Sequence, residues 1–203
     1  MKKSPLLLGA TFLLFSCGNA REALKLQGNY QTQAEQELSI RVGGVGCVVH
    51  ELDIKGFDMT IRQTAYADRK CGGDALGVVM TSGTYSIGEK LDIEPGARAM
   101  DLKISKVTVT PLNSSWGTVF GLDATGECEV KDLAVNETRD VTGKNCAALG
   151  SFPAKDAVYF TSFNLKDDVF RFTRLPSEEL DHVGTEAKPA KRNLRLEVEY
   201  RRN

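Results

Sequence analysis

The sequence predicts an all-β fold, a single antiparallel barrel or sandwich of about eight strands rather than alternating β and α units. Three observations carry that expectation. The dominant hydrophobic period along the chain is two, as in strands with one wet face. Helical periodicity is weak, and no repeat of about 20–50 residues is present to suggest a solenoid or propeller.

The elements follow in chain order. Gln27–Thr32 and Leu38–Val49 are β-rich, the second interrupted by the bend Val42–Gly46, VGGVG, which lacks dinucleotide-binding spacing. A hairpin pairs Met59–Ala65 with Val78–Ile87. Met100, Leu102 and Ile104 alternate, but Val107 and Val109 fall on the opposite phase, so a bulge is expected near Ser105 and Lys106. Gly117–Pro153 is polar and irregular and reads as a stapled excursion from the barrel. A second hairpin joins Val158–Leu165 to Val169–Thr173 through the turn Lys166-Asp167-Asp168. The one helix expected is short, Ser177–Val183, with Ser177 as cap and Leu180 and Val183 on one face. Asn193–Tyr200 closes the series with apolar Leu194, Leu196, Val198 and Tyr200 alternating with charge. Arg192, Arg195, Arg201 and Arg202 line its wet side and are expected to protect an edge.

With 203 residues, 41% hydrophobic and 26% charged, the chain can bury a real core as one domain. A formal charge of −1 gives no electrostatic footprint for nucleic acid. Residues 1–16 read as a signal: Lys2 and Lys3, then the apolar LLLGATFLLF, too short to span a bilayer. Leu14-Phe15-Ser16-Cys17 resembles the bacterial lipoprotein signal, in which the cysteine is acylated and becomes the new N-terminus. Cys17 is then the lipid anchor, residues 17–25 the tether, and 26–203 the barrel, on an outer-membrane protein of the cell envelope. The alternative is a conventional cut after Ala20.

With Cys17 acylated, Cys47, Cys71, Cys128 and Cys146 remain, an even number that points to two disulfides in an exported chain. Three pairings are open; proximity favours Cys47 with Cys71 and Cys128 with Cys146. No close C-x-x-C pair supports a metal site, and no cofactor is implied. His50 and His182 are far apart, no nucleophile has an identifiable base, and Glu178, Glu179 and Asp181 beside His182 read as a solvated face. The expectation is a non-enzyme.

A resemblance sharpens the barrel. Tyr66, Asp68 and Cys71, then Gly83, Thr84 and Tyr85, then Gly96, then Val107, Val109, Thr110 and Pro111 match the elements of one family. The segment resembles the lipocalin-like domain of the adenomatosis polyposis coli down-regulated family of Wnt antagonists. Leu26 to Tyr30, LQGNY, is similar to the Leu-x-Gly-x-Tyr/Trp entry of lipocalin-like barrels. The resemblance covers Leu26 to Pro111, places Cys47 as partner in the family's first disulfide, and implies a barrel able to accept an apolar chain. It carries no Wnt partner over.

A barrel of about eight strands is wide enough either to be filled by side chains or to hold one small ligand. Tyr30, Met59, Ile61, Tyr85, Tyr159, Phe163, Phe170 and Phe172 are the candidate lining. The function expected is a lipid-anchored barrel binding or carrying a small hydrophobic ligand. The alternative is a protein-binding envelope module that uses Gly117–Pro153 as its contact surface.

Overall fold

The computed structural model describes residues 19–32, 45–115, 134–146, 150–173, 194, 196 and 198–203. A helix, α1, covers 19–26. It is followed by β1 (Gly28–Thr32), β2 (Cys47–Lys55), β3 (Asp58–Tyr66), β4 (Ala75–Lys90), β5 (Arg98–Pro111), β6 (Arg139–Asp140), β7 (Asn145–Cys146), β8 (Gly150–Ser151), β9 (Val158–Lys166), β10 (Val169–Phe172) and β11 (Val198–Arg202). Strands β1, β2, β3, β4, β5, β9, β10 and β11 each pair antiparallel with the next, and β11 returns to β1, so eight strands close a barrel. Closure leaves no edge along this circuit, which is how up-and-down barrels satisfy every ladder.

The register shows why period two dominates the sequence. Tyr30 stands opposite Leu52, Leu52 opposite Ile61, and Ile61 opposite Thr81, so one parity of each strand points inward around the ring. Both hairpins lie where the pattern puts them. At the β9–β10 turn Asp167 and Asp168 take φ of 51° and 62°, the left-handed pair of a two-residue hairpin turn that aspartate tolerates. The expected slip is also present. Ser82 pairs with Lys106 but Gly83 pairs with Ile104, leaving Ser105 as the extra residue, and the bulge lets Ile104 and Val107 both reach the core. Gly83 is required there, because a Cβ would collide with the carbonyl oxygen of Lys103.

Four expectations are corrected or displaced. The last strand is Val198–Arg202 rather than Asn193–Tyr200, and it pairs with both β1 and β10, so Arg201 and Arg202 protect no edge. The β2 strand runs on to Lys55, because His50, Leu52 and Ile54 continue the inward alternation. The stretch read as a tether, 17–25, is helical from residue 19 and contributes Ala23 to the core, and the helix runs on into Leu26, which is buried with it. Part of Gly117–Pro153 belongs to the wall: β6 pairs with β5 beyond the reach of β9, and Val141 is 0% exposed within the core. The helix expected at Ser177–Val183 lies outside the described residues, as do Cys17, Cys128, His182, Arg192 and Arg195.

Candidate functional site

The two ends of the barrel are built differently. At one end the connections are short: Gly56 and Phe57 join β2 to β3, Asp167 and Asp168 join β9 to β10, and a hairpin tip, Leu91 to Ala97, joins β4 to β5. The connections that span 33–46, 67–74, 112–138 and 173–197 leave from the opposite end and return to it. Antiparallel alternation forces this segregation, since every second connection shares an end.

The short-turn end is sealed by α1. Gln27 clamps the helix to the β2–β3 turn: its Nε2 donates to the carbonyls of Ala23 and Gly56, both at 3.0 Å, and its Oε1 accepts the Gly56 N–H at 2.7 Å. The Tyr30 hydroxyl donates to the Leu26 carbonyl at 3.0 Å. Arg202, at the end of β11, donates to that hydroxyl at 2.7 Å and to the Lys25 carbonyl at 3.0 Å. Its guanidinium lies 5.2 Å from the Tyr30 ring centroid, a cation–π contact that ties the last strand to the first. The hydrogen bond to Tyr30 is the main reason the Arg202 guanidinium holds its proton above the ordinary arginine range.

All eight candidate lining residues point into the barrel by register. Tyr30 and Phe170 are 0% exposed, and Met59, Ile61, Tyr85, Phe163 and Phe172 are buried with them in one core. Phe170 sits at the hub, with ring centroids 5.6 Å from Tyr30, 5.7 Å from Phe163, 5.7 Å from Phe172 and 6.3 Å from Tyr200. In this half the side chains pack against each other, in the offset and tilted arrangements aromatic rings favour. Tyr159 alone of the eight is half-buried, and burial pushes its hydroxyl pKa up to about 12.

Toward the loop end the inner face changes character. His50 opposes Gln63, Gln63 opposes Val79, and Ile61 opposes Thr81. Gln63 and Val79 are only half-buried although they face inward, while Val48 and His50 remain buried. The His50 backbone N–H donates to Thr32 Oγ1 at 3.0 Å, and its ring meets Tyr200 edge-on at 6.5 Å between centroids. Sequence alone does not single out this polar belt; its signal is the inward parity of His50, Gln63 and Thr81 once β2 and β3 are correctly paired.

The same end carries a stapled loop. Cys47, which opens β2, is bonded to Cys71, 24 residues on, with Cα atoms 5.5 Å apart. This is the pairing that proximity favours. Between them Asp68 gathers the chain: Oδ1 accepts the Lys70 and Gly72 N–H groups at 2.8 and 3.2 Å, and Oδ2 accepts that of Gly73 at 2.7 Å. Those three backbone donors, Gly73 foremost, hold its carboxyl below the ordinary aspartate range. A Cβ on Gly46 would stand 2.6 Å from the Ala67 carbonyl, so the close approach of this loop to β2 needs glycine. Cys146 lies on β7, and its pairing with Cys128 falls outside the described residues.

On the outer wall a hollow of about 580 Å³ opens beside the β5 bulge, lined by Ser105, Lys106, Asp140, Thr142, Lys144 and Lys155. Among the described residues no group of three or more His, Cys, Asp or Glu is placed to hold a metal ion. No protein-family model matches the chain, and no curated protein matches it.

Proposed function

We propose that this chain is an acylated cell-envelope protein whose lipocalin-like barrel binds a small amphiphilic molecule at its loop end and makes or breaks no bond. The observation that carries the reading is the contrast along the barrel axis: one end sealed and solid, the other the origin of every long connection and the place where the inward-facing Gln63 and Val79 are only half-buried. Mouths of β-barrels are places where small molecules bind. Val79 supplies apolar surface there and Gln63 a polar group, with buried His50 and Thr81 on the same inward register, a mixture suited to an amphiphile rather than a plain hydrocarbon. Burial of the guest's apolar surface stabilises the complex by about 25 cal/mol per Å². The address at residues 1–16, with Cys17 as acyl anchor, supports the outer-membrane part of the reading, and the resemblance over Leu26 to Pro111 supports membership in the lipocalin-like group.

The test is solvent extraction of protein purified from envelopes, followed by mass spectrometry of the extract. One guest per barrel is expected, and Val79→Trp should expel it and also abolish uptake of a dansyl-labelled fatty acid while the melting temperature holds. Protein that is empty and takes up no labelled fatty acid overturns the proposal. A second reading, an envelope module that binds a protein, is favoured by the loop between Cys47 and Cys71. A segment tied by a disulfide and three hydrogen bonds loses little entropy on binding. Crosslinking in whole envelopes that returns one dominant partner through Arg69 or Lys70 supports it.

A further inference from the structure

The sealed end exposes apolar side chains that its own fold does not cover. Leu24 on α1 is 71% exposed, Phe57 in the β2–β3 turn 47%, and Ile93 in the β4–β5 hairpin 36%. α1 and the β2–β3 turn adjoin each other, and the hairpin tip at the same end lies against the outward face of β9 and β10, where Glu94 accepts from Asn164 and pairs with Arg171 at 2.7 Å. Gln27 bonds α1 to Gly56, next to Phe57, and Phe57 rests on Tyr85 with ring centroids 5.9 Å apart. The hydrogen bond from Lys25 holds the Glu22 carboxyl on α1 below its ordinary value, and Arg98, at the base of the hairpin, adds to that effect from nearby. A helix that buries Ala23 and Leu26 while leaving Leu24 in water has a second apolar direction to satisfy.

We propose that the sealed end is seated on a lipid bilayer, with Leu24, Phe57 and Ile93 among the headgroups and the loop end facing away from the membrane. The inference rests on the acyl anchor at Cys17 and goes beyond it, because an anchor alone does not fix orientation. Covalent reach supplies the constraint. Cys17 precedes Asn19, the first described residue of α1, by two positions. A link that short spans at most about 7 Å. A bilayer holding acyl chains on Cys17 therefore holds α1 at its surface, and the end of the barrel that α1 seals comes with it. At the effective concentration set by so short a link, a weak apolar contact is enough to keep the end seated.

Charge at this end is mixed. Lys25, Lys55 and Arg202 are paired with Glu22, Asp53 and Asp168 at 2.8, 2.5 and 3.4 Å, and exposed Asp58, Glu89, Asp92 and Asp167 offset Arg21, Lys90 and Lys166. Seating is thus apolar, and it should be indifferent to anionic lipid and to salt. The consequence for function is that the mouth is presented to the aqueous side, where a guest or partner arrives from solution.

The experiment uses the full-length acylated protein in vesicles of phosphatidylcholine, with and without phosphatidylglycerol, the phosphatidylcholine carrying bromine on its upper acyl chain. In a Trp116→Phe background, tryptophan is placed at Phe57, at Ile93 and at Val135, which is 44% exposed and lies beside the end of β5 at the loop end. Bromine should quench Phe57→Trp and Ile93→Trp several-fold more than Val135→Trp, equally in both lipid mixtures and at high salt. Equal quenching at the two ends, or stronger quenching at Val135→Trp, overturns the orientation while leaving the anchor intact. The mass of the N-terminal peptide tests the anchor by itself, and an unacylated Cys17 overturns both.

Discussion

The sealed half and the loop half of this barrel are made from the same strands and differ in what fills them. Around Phe170, aromatic rings from β1, β9, β10 and β11 meet within 5.6 to 6.3 Å and α1 closes the end over them. Around Gln63 and Val79 the inner face is half-buried and partly polar, and order is imposed from outside by a disulfide and a capped loop. Packing thus differs along one axis. The contrast teaches that a small barrel can pack its two ends differently, with stacked aromatic rings at one and a mixed apolar and polar face at the other.

The most direct way to break that contrast is to truncate one inward side chain in each half. Phe170→Ala removes the hub of the ring cluster and should cost about 3–5 kcal/mol in equilibrium denaturation. Val79→Ala removes two carbons from a half-buried position and should cost about 1 kcal/mol. Similar losses at the two sites would mean that the halves are packed alike. Next in size is the staple, which closes a loop across 24 residues of sequence. Replacing Cys47 and Cys71 by serine should cost about 3 kcal/mol in the chain-entropy model. Hydrogen exchange of the intact fold should then rise across residues 67–74 and stay unchanged at Gln27 and Gly56; a rise at both ends would show that the halves are not independent.

How much of this is legible in the sequence depends on whether a feature is local. The turn at Asp167 and Asp168, the bulge at Ser105 and the inward parity of Tyr30, Phe163, Phe170 and Phe172 are written in adjacent residues, and the sequence pattern finds them. Arg202 reads as an edge guard because sequence cannot show that β11 pairs with β1, a contact across the whole chain. The helix over 19–26 escapes sequence reading because so short a segment with one buried pair, Ala23 and Leu26, gives too little periodicity. Its stability comes from packing on the barrel rather than from propensity. The polar belt of His50, Gln63 and Thr81 needs the β2–β3 and β3–β4 registers before it exists as a group at all. Val141 is a like case, an apolar residue in a polar stretch whose burial depends on β6 joining the wall.

The smallest effect, and the most selective for the loop end, is the response of the stapled loop to acid. Asp68 lies at the surface, yet the N–H groups of Gly73, Gly72 and Lys70 point at its carboxylate and keep its pKa below the ordinary aspartate value. A carboxyl lowered in the folded state contributes order that is fully present above its unfolded pKa and is lost only as pH falls through the lowered value. The amide resonances of Lys70, Gly72 and Gly73 should therefore titrate together, with one midpoint below that of an ordinary aspartate, while those of Gln27 and Gly56 at the sealed end hold still. Asp68→Asn should abolish that shared titration and leave the disulfide and the barrel's denaturation midpoint almost unchanged. Midpoints that differ among the three amides would mean that Asp68 does not gather the loop, and the rigidity of any contact surface at the loop end would then depend on the Cys47–Cys71 bond alone.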